Sequence, residues 1–104
     1  MSKKTTELPN QISQWTFLSN HAHVLVCLHQ NSESVLREVA YKVGITERAV
    51  QKIIKDLEDG KILTRKKDGR KNIYTLHTKV GLRHPLESHC NVIDLLNVIG
   101  KPIN

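Results

Sequence analysis

Leu36-Arg37-Glu38-Val39-Ala40-Tyr41-Lys42-Val43-Gly44-Ile45-Thr46-Glu47-Arg48-Ala49-Val50 is the stretch that decides how this chain is read. Leu36, Val39, Ala40 and Val43 recur at i, i+3, i+4 and i+7, which puts four apolar side chains on one helical face. Gly44 follows and reads as a left-handed stop. Thr46 then supplies an oxygen for a new N-cap, and Glu47 sets negative charge at the positive end of the next helix dipole. Ile45 before the cap and Val50 four residues into the helix have the spacing of a hydrophobic staple. That helix would bury Val50, Ile53, Ile54 and Leu57 and stop at Gly60. Two short helices separated only by Gly44-Ile45-Thr46 must turn sharply, so a helix-turn-helix is predicted.

Towards the N-terminus, residues 1–10 are polar, end in Pro9-Asn10 and are expected to form a flexible arm. Ile12, Trp15, Phe17 and Leu18 make a short apolar cluster. Ser19 or Asn20 can cap an earlier helix with Ala22, Leu25, Leu28 and either Val26 or Cys27 inside; Asn31-Ser32-Glu33-Ser34 breaks it. After Gly60 the period changes to two. Residues 62–66 and 72–77 read as strands, and Asp68-Gly69 between them reads as a two-residue hairpin turn. Ser34-Val35 could add a third, very short strand. A last helix is expected from near Pro85 to near Gly100, with Pro102 beyond.

The formal net charge of +6 is unevenly placed. Residues 1–34 and 80–104 each carry two basic and two acidic side chains, whereas 35–79 carry twelve and six. An excess confined to one part of a fold points to a polyanionic partner. At 104 residues, 38% hydrophobic and 25% charged, the chain has the size and balance of one globular domain. No apolar run approaches a membrane span and no secretory signal is visible, so a cytoplasmic location is expected. Cys27 sits in an apolar run and reads as core filler; two cysteines do not make a disulfide framework.

The order helix, helix-turn-helix, basic hairpin is the plan of a winged helix-turn-helix. The expected fold class is mainly α with a small β-hairpin (α+β). Residues 11–82 would form the winged domain and 83–104 a C-terminal helix of the same domain. The sequence resembles the small MarR/ArsR-like winged-helix regulators over about residues 15–99. The likeness is carried by 36–40, 43–50, 53–60 and the wing Gly69-Arg70-Lys71-Asn72, with Arg83–His89 similar to the tail of one small-regulator subgroup. It implies that Ala40 lets the two helices approach closely and that the chain regulates transcription.

Removing the buried stripe from the third helix leaves Thr46, Glu47, Arg48, Gln51, Lys52 and Lys55 facing out. Such a helix fits the major groove, where Arg48 pairs well with guanine and Gln51 with adenine. Lys52 and Lys55 suit phosphates, and Thr46 can donate to a phosphate beside the exposed amides of the helix start. Glu47 is a capping residue first and a partner for cytosine N4 second. Arg65, Lys66, Lys67, Arg70 and Lys71 crowd five cations onto the hairpin, and a phosphate backbone or minor groove would relieve their repulsion. The plainer alternative is a solvated hairpin whose charges only keep its edge from pairing. The expected partner is therefore double-stranded DNA.

Trp15, Leu18, Leu86, Val92, Ile93, Leu96 and Ile99, with Phe17, exceed what one small core should absorb, so these end segments are expected to form a homodimer interface. The competing account packs the same segments on each other and on the first helix. His21, His23, His29, His84, His89 and Cys90 show no Cys-x-x-Cys or other convergent spacing, so no metal or cofactor is assigned. A metal-responsive repressor is the weaker variant of the regulator reading. A protein-interaction or RNA-binding winged helix is the main alternative, which an acidic or apolar recognition face would favour. No nucleophile elbow or phosphate-binding glycine loop suggests an enzyme.

Overall fold

Ser19 begins the ordered helical part of the chain: its extended backbone (φ −76°, ψ 167°) and its hydroxyl, which accepts from Ala22 N–H, start α1 (Asn20–Gln30). The computed structural model describes residues 15–99. The expected arm, Ile12, Gly100 and Pro102 lie outside the described residues. The described chain is an α+β domain of four helices and one antiparallel two-stranded hairpin.

α2 (Leu36–Val43) occupies the residues that the apolar period predicted. Gly44 follows at φ 88°, where a side chain would be strained, and its N–H bonds to Ala40 C=O at 2.8 Å. α3 (Glu47–Asp59) starts at Thr46, whose Oγ1 accepts from Ala49 N–H at 3.0 Å. Its inner stripe is Val50, Ile53, Ile54 and Leu57, all buried. Ile45 and Val50, the staple pair, belong to the same apolar cluster. Gly60 ends α3 at φ −81°, and it is Lys61, at φ 66°, that takes the left-handed conformation and turns the chain.

β1 (Leu63–Asp68) pairs with β2 (Lys71–Leu76) from Leu63↔Leu76 to Asp68↔Lys71. This register leaves Gly69-Arg70 as the two turn residues, a shift of one from the expected Asp68-Gly69. Gly69 has φ +67° and Arg70 does not share that sign, the pattern of a turn with glycine at its first central position. The expected third strand at Ser34-Val35 does not form. Instead one hydrogen bond, Tyr74 N–H to Ser32 C=O at 3.0 Å, ties the hairpin to the α1–α2 loop. That loop is fixed by Asn31, whose carbonyl accepts from both the N–H and the hydroxyl of Ser34.

The last helix differs most from expectation. α4 is Val92–Ile99, seven residues later than the predicted start at Pro85. The reason lies in backbone pairing: Gly81 bridges Asn91, Leu82 N–H donates to Cys90 C=O, and Val92 N–H donates to Val80 C=O. A helix through 85–91 would need those same groups. Residues 83–90 therefore run through turns, with His84 Nδ1 accepting from Leu86 N–H at 3.0 Å. Asn91 N–H donates to the Asp94 carboxylate at 2.8 Å and Asp94 N–H returns a bond to Asn91 C=O, which starts the helix at its new position.

One apolar cluster joins all the elements: Val24, Leu25 and Leu28 of α1, Val39 and Ala40 of α2, the stripe of α3, Ile62, Leu63 and Tyr74 at the hairpin base, and Val92 and Leu96 of α4. Val24 is fully buried, whereas Ala22, Val26 and Cys27, three of the residues expected inside α1, are half-buried. Burial pushes the Cys27 thiol above its ordinary pKa, partly offset by Lys42, which fits a packing role.

Candidate nucleic-acid interface

Because the inner stripe of α3 is consumed by the core, its opposite face is fixed in space. Arg48, Gln51, Lys52 and Lys55 are exposed and follow one another at helical spacing. With Thr46 and Ala49 they line one shallow surface depression. The Thr46 hydroxyl already accepts from Ala49 N–H, which leaves its own O–H free to donate. Glu47 lies in the first turn, as its capping role requires.

The cations of α3 and the hairpin fall into two groups. Lys52 lies 3.8 Å from Asp56 Oδ1, Lys55 3.4 Å from Asp59, Arg65 3.3 Å from Glu58, and Lys71 3.4 Å from Glu33. These four have internal counter-charges. Among the described residues no carboxylate stands within ion-pair distance of Arg48, Lys66, Lys67 or Arg70. The expected row of five repelling hairpin cations is thus reduced to three unpaired ones. Arg65 and Lys67 alternate with Lys66 along β1, so the strand presents charge on both faces.

No family model matches this chain, and no curated protein matches it in sequence. The chemistry of the interface therefore rests on its own residues.

The residues expected at a dimer interface divide differently. Val92 and Leu96 are 0% and 1% exposed, inside the molecule's own core, so neither side chain is free to meet a second copy. Their burial corrects that part of the expectation: α4 turns this face onto α1. Leu18 and Ile93 are half-buried, whereas Trp15 (68% exposed), Leu86 and Ile99 remain outside. Phe17, 92% exposed, stacks edge-on against Trp15 with ring centroids 5.0 Å apart. It also borders an apolar groove with Leu18, Ala22, Leu82 and Leu95. Val98, exposed on the outer side of α4, was not singled out from sequence. It lies three residues beyond Leu95, and only the late start of α4 shows which face it occupies.

A contact that sequence reading missed joins α1 to α3. His21 Nε2 lies 2.8 Å from Asp56 Oδ2, and this hydrogen bond, more than the nearby lysines, holds the Asp56 carboxyl below its ordinary pKa. Its partners are 35 residues apart, so no local spacing could reveal it. Among the described residues no three His, Cys, Asp or Glu side chains gather to hold a metal ion, and no helix is long and apolar enough to cross a membrane.

Proposed function

We propose that this chain is a winged helix-turn-helix protein that binds double-stranded DNA sequence-specifically and regulates transcription. α3 enters the major groove, and the hairpin lies on the backbone or in the minor groove. The observation that carries this reading is the outward face of α3, where Arg48, Gln51, Lys52 and Lys55 present long polar side chains over an apolar stripe that is fully engaged. Arg48 and Gln51 read base edges; Lys66, Lys67 and Arg70 meet phosphates without first giving up a carboxylate.

Fluorescence anisotropy with a random-sequence duplex across a salt series tests the reading, beside a single-stranded RNA control. The three hairpin cations on phosphate would contribute roughly −2.7 to the log–log salt slope, at about 0.9 per phosphate. Absence of duplex binding at low salt refutes it.

The duplex would be read by a homodimer, since one short helix and one hairpin discriminate modestly. Trp15, Phe17, Leu86, Val98 and Ile99 supply the surface. Phe17→Glu with Val98→Glu yields monomers in sedimentation if this is so; an unchanged dimer places the interface elsewhere. The same exposed aromatic pair favours a second reading, a protein-interaction module, which failure of duplex binding would bring forward.

A further inference from the structure

Asp56 stands between two cations of different kinds. One carboxylate oxygen meets His21 of α1 at 2.8 Å, and the other faces Lys52 of α3 at 3.8 Å. An ionised carboxylate only accepts, so the His21 Nε2–H donates to it. Lys52 belongs to the exposed face assigned to the duplex, whereas His21 sits on a helix outside that face. Imidazole is the side chain whose ordinary charge change falls between pH 5 and 8.

We propose that His21 sets how freely Lys52 can bind phosphate, so that duplex binding strengthens as His21 takes up a proton. The proposal rests on the DNA-binding reading and adds regulation to it. With His21 neutral, Lys52 and Asp56 form an ion pair of zero net charge, and a phosphate must compete with Asp56 for the ammonium. With His21 charged, Asp56 is neutralised from its other side, the three groups sum to +1, and Lys52 neutralises a phosphate, displacing a condensed cation from the duplex, at lower cost.

The surrounding charges do not cancel this arrangement. On α3, Lys55 is engaged by Asp59 at 3.4 Å. Asp59 and Arg83 line the same cleft as His21 and Asp56, and Glu87 borders the adjoining groove with His21. Arg83 adds positive charge to that cleft and Asp59 and Glu87 add negative charge; neither carboxylate is within ion-pair distance of the imidazole. On α1 itself, His23 is turned to Asn20 Oδ1 at 3.1 Å. The lowered pKa of Asp56 keeps it anionic at both pH values of the test below.

The test measures binding of a random-sequence duplex by anisotropy at pH 8 and pH 5.5, each across a salt series, for the wild type, His21→Gln and Asp56→Asn. In the wild type the salt slope steepens at the lower pH by an increment that includes about 0.9 from Lys52. His21→Gln loses that share and keeps whatever part of the increment comes from elsewhere in the protein. Asp56→Asn has the steeper Lys52 contribution at both pH values. A His21→Gln variant that keeps the full wild-type increment overturns the proposal while leaving DNA binding intact. Loss of binding by every protein at both pH values overturns the DNA-binding reading and this proposal with it. NMR titration of the Asp56 carboxyl checks the contact in solution: it should move up in His21→Ala, and an unchanged midpoint refutes the pairing.

Discussion

Replacing Lys66, Lys67 and Arg70 together by alanine removes the three hairpin cations that have no carboxylate within ion-pair distance among the described residues. Because all three are exposed and unpaired, the fold should lose little, within about 0.5 kcal/mol by chemical denaturation. Each phosphate contact adds about 0.9 to the log–log salt slope, so the triple variant should be flatter than the wild type by about 2.7. Between 50 and 200 mM salt, that difference changes the wild-type to variant affinity ratio by about 40-fold. The assay is duplex anisotropy at four or more salt concentrations for both proteins. The contrasting variant is Arg65→Ala with Lys71→Ala, whose cations already hold Glu58 and Glu33. It should flatten the slope by less per charge removed. Equal slopes for the triple variant and the wild type would refute a hairpin on the phosphate backbone, and equal effects per charge in both variants would refute the division into paired and unpaired cations.

Arg48→Ala should weaken binding to a selected duplex by about 1–3 kcal/mol and relax preference at one base position; equal losses on all sequences would remove Arg48 from base reading. Lys61→Gly relieves a left-handed backbone at φ 66° and should stabilise the fold by about 1 kcal/mol in urea denaturation, with destabilisation arguing against that turn. Leu96→Ala should cost about 2–5 kcal/mol, because Leu96 is 1% exposed; a loss below about 1 kcal/mol would show that α4 is not packed on the core. The Asp56 carboxyl is held low by His21, so its share of stability is present above the ordinary value of 3.8 and is lost as pH falls through the lowered one. The Tm gap between the wild type and Asp56→Asn should therefore be full at pH 6 and close below about pH 4; a gap that persists at pH 2 contradicts this origin.

By itself the sequence determined what is local. Four residues at i, i+3, i+4 and i+7 and a glycine placed α2 and its turn, because helical period and left-handed φ act within a few residues. Thr46 capped α3 as its position demanded, and the inner stripe of α3 left Arg48, Gln51, Lys52 and Lys55 outside by subtraction. Tertiary structure decided what depends on partners distant in the chain. The pairing of residues 80–82 with 90–92 delayed α4 to Val92 and directed Val92 and Leu96 inward, leaving Val98 outside. A proline suited to a helix start could not outweigh those backbone bonds. Hairpin register moved the turn to Gly69-Arg70, since cross-strand bonds and not the Asp-Gly dipeptide choose which residues stay unpaired. Likewise, Glu33, Glu58, Asp56 and Asp59 sorted the cations into held and free, and His21 reached Asp56 across 35 residues. Charge can be counted along a chain, but Coulomb attraction acts over a few ångströms, and only the fold brings those groups together.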